Sequence, residues 1–233
     1  MNQLTIVSVF HKEYSYNKYC LWIKPISVGN FFGDNDFLHD NTGDNISHFN
    51  YTYAELTGLY WAWKNLSSDY LGLCHYRRYF NFARSRNMDI NSLSSEIQKE
   101  AAIEILRNYD VILPYGISLG NGMEAQYKGC HVPHHYDVLM DEVKKLYPNR
   151  DEDLRRINEN SFFRHSHCFV ARKEVFNHYC SELFSVLETV RSKIDVNIDK
   201  PDKRHMGYLG ERFLNIFFQL NGYKIWGSEV VIL

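Results

Sequence analysis

Asp69–Phe80 reads DYLGLCHYRRYF. Its first half, Tyr70 to Cys74, is a near-continuous apolar run of the kind found in strands buried on both faces. The run then ends abruptly in His75, Tyr76, Arg77 and Arg78. In open α/β sheets ligands bind beyond the carboxyl ends of the strands. A buried strand that opens into a histidine, a tyrosine and two arginines therefore marks both the sheet and the place to look for a site.

The flanking sequence extends this pattern. Upstream, LTIVSVF (4–10) is another buried strand, and WIKPISV (22–28) a shorter one weakened by Pro25. The Gly-, Asp- and Asn-rich segment 29–50 is a long loop, a length that compact domains usually keep for function. In YTYAELTGLYWAWKNL (51–66), Leu56, Leu59, Tyr60 and Trp63 fall at i, i+3, i+4 and i+7, which predicts one amphipathic helix with Asn50 or Thr52 as cap. Downstream, helices are predicted over 92–107, 135–147, 151–159, 173–191 and 208–220, and strands over 109–114 and 167–172. One or two more strands follow in YKIWGSEVVIL at the end. Strands alternating with helices predict an α/β sheet with crossover helices, and residues 1–233 read as a single domain without repeats or linkers.

Bulk composition narrows the function classes. A net charge of -2 with 23% charged residues gives no global basic excess, so no nucleic-acid partner is expected. Any anion site must come from a local cluster. No window approaches a membrane-spanning apolar stretch, and MNQLTIVSVFHK lacks a basic region and a cleavage site, so no secretory leader is expected. The five scattered cysteines, with no CxxC, read as free thiols of a reducing cytoplasm.

Four clusters carry possible chemistry. Arg77 and Arg78, with Arg84 and Arg86 shortly after, form a cationic patch. The guanidinium fork matches phosphate oxygens, so the patch reads either as a seat for a phosphorylated ligand or as one arginine paired to a buried acid beside one in solvent. In HDNTGDNIS, Asp40, Asn41, Asp44 and Asn45 crowd one turn; turn chemistry explains them, and so does hydrogen bonding to a sugar. His131, His134 and His135, with His165 and His167, have no recognised zinc spacing and read as cleft lining or plain surface. Glu211, near the start of its helix, is either dipole-stabilised or a general base. No phosphate-binding glycine loop, nucleophile elbow or zincin motif is present.

The blocks DNTGDNIS, ELTGLYWAWKN, YLGLCHYRRYF, YDVILP and GYLGERFLNIFF together resemble a bacterial family catalogued as a domain of unknown function. Its members occur in capsule and O-antigen synthesis clusters and are regarded as glycosyltransferases, some linked to galactofuranose transfer. The likeness runs from Leu4 to Phe218. It implies a single nucleotide-sugar-binding domain of GT-A type, a Rossmann-like mixed sheet flanked by helices. Many GT-A enzymes carry an Asp-x-Asp at the strand equivalent to YLGLCHYRR, where it holds a divalent metal on the donor diphosphate. Here that strand has no acid.

The resemblance therefore implies a metal-independent, inverting transferase. Arg77 and Arg78, aided by His75 and Tyr76, would stabilise the departing UDP. Phe10, His11 and Lys12 would border the base and ribose, and Asp44 and Asn45 would reach the donor. Glu211 would deprotonate the acceptor, and His131, His134, His135 and His167 would line the acceptor side. No cofactor is expected, with Mn²⁺ or Mg²⁺ as the alternative. The expected partners are a UDP-sugar and a lipid-linked oligosaccharide, met in the cytoplasm or at the inner face of the membrane, where RRYFNFARSR could touch headgroups. A non-catalytic sugar-nucleotide-binding module and a phosphodiester transferase are the rival expectations.

Overall fold

The structure is a computed structural model that describes residues 3–195 and 203–233. The elements in chain order are β1 (Leu4–Phe10), β2 (Ile23–Ser27), β3 (Leu38–His39), α1 (Asn50–Tyr53), α2 (Leu56–Asn65), β4 (Tyr70–His75), β5 (Arg78–Phe80), α3 (Ile90–Leu93), α4 (Glu96–Asn108), β6 (Val111–Pro114) and β7 (Ile117–Ser118). Then come α5 (Met123–Cys130), α6 (Pro133–Leu146), α7 (Asp151–Glu159), β8 (Phe162–Phe163), β9 (Phe169–Arg172), α8 (Lys173–Lys193), α9 (His205–Leu220), β10 (Ile225–Ser228) and β11 (Val230–Ile232).

The main sheet has the order β10-β6-β9-β4-β1-β2-β3, with β5 and β11 attached at the end of β4. The pairs β1/β2, β1/β4, β2/β3 and β6/β10 are parallel, while β9 runs antiparallel between β4 and β6. The expected mixed α/β sheet flanked by helices is what the chain forms.

Side-chain alternation along each strand splits the core in two. Val7, Val9, Leu71 and Leu73 face a thick helical layer built from α2 and α5–α9. Leu4, Ile6, Tyr70 and Cys74 face α3, α4 and Trp22. Leu56 and Leu59 of α2 are fully buried against the first face. Each such leucine stabilises the fold by roughly 1.5–3 kcal/mol.

Three expectations need correction. The helix predicted over 51–66 is two helices, because Ala54 has φ +50° and breaks the chain between α1 and α2. Neither proposed cap starts the longer helix: Asn50 lies inside α1 and its amide donates to the Ala54 carbonyl at 2.9 Å, while the Thr52 hydroxyl donates to Phe49 O at 3.1 Å. The helix predicted over 92–107 is also split, at Ser94–Ser95. In α4, Ile97 is exposed and Gln98 is buried, since the Gln98 amide is consumed by Ala83 N, Asn81 and Ser85.

Candidate functional site

The junction at the end of β4 resolves into a tight hairpin. His75 pairs with Arg78 across a turn made by Tyr76 and Arg77. Cross-strand partners lie side by side on one face, so His75 and Arg78 point together into a cavity of about 590 Å³. Tyr76 also lines the cavity, its ring buried in a cluster with Phe10 and Phe37.

The cavity lies beyond the carboxyl ends of β1 and β4, lined there by Val9, His11, His75, Arg77 and Arg78. Antiparallel β9 brings a second wall. Its register, Leu73 opposite Phe169, carries the preceding Ser166 to the end of β4. The α1–α2 junction supplies Asn50, Tyr51, Ala54 and Glu55, and the start of α9 supplies Gly207, Tyr208 and Glu211, with Arg204 just before it. Gly207 faces the α1–α2 junction, where a Cβ would make ordinary contacts, 3.5 Å from both the Ala54 Cβ and the Tyr53 carbonyl and 3.9 Å from Glu55 Oε2; the close approach is at Gly210, where a Cβ would lie 2.8 Å from Leu56 Cδ1. α9 thus packs closely on the start of α2, and Glu55 and Glu211 line one cavity.

Ser166 and His167 both have positive φ, 79° and 44°. Consecutive non-glycine residues in this region are strained, and such strain clusters at functional sites. What holds them is a set of hydrogen bonds. Ser166 N–H donates to Glu211 Oε1 at 2.5 Å, and Ser166 O accepts from His75 Nε2 at 2.6 Å. The Ser166 hydroxyl also meets His165 Nδ1. His167 is fully buried, with Nε2 2.8 Å from the Tyr179 hydroxyl.

Arg77 and Arg78 stand at the strand ends, and the facing wall carries Glu55 and Glu211 together with Arg204. Neither Arg77 nor Arg78 has a carboxylate within ion-pair distance among the described residues, and Arg78 Nε is buried without a partner. Arg77 is exposed, its guanidinium 5.8 Å from the Tyr76 ring centre. Burial, then the Arg78 charge, pushes His75 down to about 4, so the ring is neutral with its proton on Nε2. Burial, with Lys12, Arg204 and Arg77 behind it, holds His11 below the usual range. On the facing wall burial raises both Glu55 and Glu211; Arg204 and Arg78 oppose the rise at Glu55, and Arg212 opposes it at Glu211. Arg212 is buried and donates to Glu211 Oε2 at 3.0 Å, to Tyr208 O at 3.3 Å and to Gln126 Oε1.

The cavity thus gathers Arg77, Arg78, His11, His75, Tyr76 and Glu211 from the expected set. Others lie elsewhere. Phe10 is wholly buried in the Phe37–Tyr76 cluster beneath the site. Lys12 is exposed, its ammonium 5.6 Å from the Tyr76 ring centre. Asp44 and Asn45 do not line the cavity: Asp44 is bonded to Tyr60 and Asn65 on α2, and Asn45 closes its own turn through Gly43 O and Ser47. The histidines disperse. His131 stacks on Tyr208 at 4.1 Å, behind the cavity wall, His134 is exposed on α6, His135 is buried edge-on to His205, and His167 lies under α9. Among the described residues no three His, Cys, Asp or Glu side chains converge as a metal-ligand set. No described helix is long and apolar enough to cross a membrane.

Glu55, Ser166, Arg204 and Tyr208 were not singled out from the sequence. Glu55 was hidden by a helical pattern that ran through it. The Gly207 and Gly210 spacing on α9 was the available signal, since two glycines on one helix face announce close approach of a neighbour.

The family described as a domain of unknown function, DUF4422, matches residues 5–222. Among curated proteins none matches the chain. A solved structure titled WbbM bifunctional glycosyltransferase, apo structure, superposes with a TM-score of 0.86 at 28% identity. It covers 100% of this chain, and this chain spans 45% of the length of that one. The chain therefore belongs to the DUF4422 family and shares its fold with a domain-sized part of WbbM.

Proposed function

We propose that this DUF4422 chain is a glycosyltransferase of GT-A type. It moves a sugar from a UDP-sugar, with galactofuranose the first donor to test, to a lipid-linked saccharide in capsule or O-antigen synthesis. The observation that carries this reading is the layout of the cavity: among the described residues, cationic Arg77 and Arg78 stand without acidic partners at the strand ends, facing a wall that carries the carboxylates Glu55 and Glu211 together with Arg204. Its volume suits a sugar nucleotide, since ligand pockets run from about 300 to 1,000 Å³. The likeness to WbbM supports the same class.

In this reading the diphosphate sits against Arg77 and Arg78, with the His75 Nε2 proton already committed to Ser166 O. The nucleoside lies toward His11 and Tyr76. A carboxylate on the facing wall takes the proton of the acceptor hydroxyl. The freed oxygen attacks the anomeric carbon from the side opposite the diphosphate, and the bond to UDP breaks with its electron pair on the phosphate oxygen. Inversion follows. The arginines neutralise that growing charge without a metal, as oriented cations can. The acceptor enters past Tyr51 and Tyr208, with His131 stacked behind the latter.

A donor screen tests this. Nucleotide sugars are offered with a saccharide acceptor, and melting shifts and transfer are both followed, with EDTA and with Mn²⁺ added back. The expected result is a stabilising shift with UDP-sugars and transfer unaffected by EDTA. Loss in EDTA restored by Mn²⁺ overturns metal independence. UDP binding without transfer to any acceptor favours a binding module, and turnover of CDP-linked phosphodiesters favours phosphodiester transfer.

A further inference from the structure

We infer that Glu55, rather than Glu211, takes the proton from the incoming hydroxyl, and that Glu211 is a positioning residue; this rests on the transferase reading above. The two carboxylates differ in what already holds them. Glu211 has one oxygen on Ser166 N at 2.5 Å and the other on Arg212 Nη1 at 3.0 Å. Arg212 is itself buried, its side chain only 3% exposed. Protonating Glu211 would leave that guanidinium as an uncompensated buried charge, a costly change. Arg212 so opposes protonation of Glu211 where burial favours it, and the carboxylate spends both oxygens on fixed partners. It is well suited to fixing the strained Ser166–His167 segment, and through Ser166 O the ring of His75.

Glu55 is the opposite case. Among the described residues no other side chain hydrogen-bonds or ion-pairs with its carboxylate, which meets only its own backbone N–H and faces the cavity beside Gly207. Burial raises its affinity for a proton, as it does that of Glu211, but here no buried guanidinium is bonded to the carboxylate. Its backbone is placed by force: Ala54 at φ +50° precedes it, and the Ala54 carbonyl is pinned by Asn50 Nδ2 at 2.9 Å and Thr57 Oγ1 at 3.1 Å. The Thr57 hydroxyl lies 2.6 Å from buried Asp40. A left-handed alanine braced by three side chains aims Glu55 at the cavity, where an uninterrupted helix would turn that residue along its own surface. The charged and titratable groups around it are Arg78 on β5, Arg204 before α9, Glu211 on α9 and His75 on β4.

The test compares Glu55→Gln, Glu55→Asp and Glu211→Gln with the full chain, using the UDP-sugar that the donor screen selects. Glu55→Gln is expected to lower kcat by about 10²–10⁴-fold, the usual contribution of a general base, while its UDP-induced melting shift is retained. Its pH profile loses the acid limb. Glu55→Asp keeps that limb at reduced rate. Glu211→Gln melts earlier and raises KM more than it lowers kcat. Its acid limb persists and moves to lower pH, because a negative neighbour of Glu55 is gone. A Glu55→Gln enzyme with more than a tenth of the wild-type kcat, or a Glu211→Gln enzyme that alone loses the acid limb, overturns the inference. A wild-type chain that transfers nothing from any nucleotide sugar overturns the transferase reading and the inference with it.

Discussion

Arginines stand at both ends of the central strands, and they are used in opposite ways. At the amino end of β4, Arg172 is spent on backbone. Its Nε donates to Leu106 O at 2.9 Å and Tyr109 O at 3.1 Å, and its Nη2 donates to Arg107 O at 2.9 Å. These carbonyls close α4, whose last turn has no intrahelical donors left to satisfy them. Asp110 adds a weak ionic contact at 3.9 Å. At the carboxyl end, among the described residues, Arg77 and Arg78 have no such carbonyls and no carboxylate, and Arg78 Nε is buried without a partner. An arginine with its donors filled by the fold is structural. One whose buried donor is left open costs stability, and a ligand's oxygens can offset that cost.

The largest break in this comparison should come from Arg78→Ala. Transfer should fall by about 10²–10³-fold, as when one donor to a developing oxyanion is removed, and the UDP-induced melting shift should shrink. An unchanged rate would mean that the two ends are alike. Next is Arg172→Ala, which should lower stability by about 1–3 kcal/mol in denaturant titration, for lost charged hydrogen bonds, with kcat preserved. Arg77→Ala should cost about tenfold in kcat/KM, less than Arg78 because its exposed side chain works in a more screened setting.

The smallest effect is in acid stability. His75 in the folded protein binds its proton only near pH 4, whereas the unfolded chain binds it near 6.5. The unfolded state therefore takes up protons first, and stability present above pH 6.5 is lost as the pH falls toward 4. Removing Arg78 relieves part of the depression. Arg78→Ala should thus flatten this limb of a melting-temperature profile, and Arg172→Ala should leave it as it is.

The two ends of the sheet also differ in how far sequence reveals them. β1 and α7 were predicted at their observed bounds. One is an unbroken apolar run. The other is a short charged helix laced by ion pairs three and four residues apart, such as Arg155 with Glu152 and Glu159. The β4 junction was equally visible, because a polar cluster at a strand end contrasts sharply with what precedes it. What sequence concealed was backbone geometry. Ala54, Ser166 and His167 adopt left-handed conformations without glycine at those positions, so composition gives no warning. The α1–α2 break and Glu55 were lost with Ala54, and the wall at Ser166 with its own turn. α5 was missed because MEAQYKGC has little apolar periodicity, and its buried Met123 and Tyr127 lie one turn apart. Asp44 and Asn45 sit in a polar turn on the outside of α2, where Asp44 meets Tyr60 and Asn65 and Asn45 meets Gly43 O and Ser47.

Ser166 joins the two walls, its amide on Glu211 and its carbonyl on His75. The span from acid to imidazole is thereby gauged by the backbone of one residue, a ruler that side-chain substitution cannot lengthen. Any relative that accepts a bulkier sugar has to make room on the far side, at Asn50, Tyr51, Arg204 and Tyr208. Variation in those four positions is where differences in substrate size within this architecture will be written.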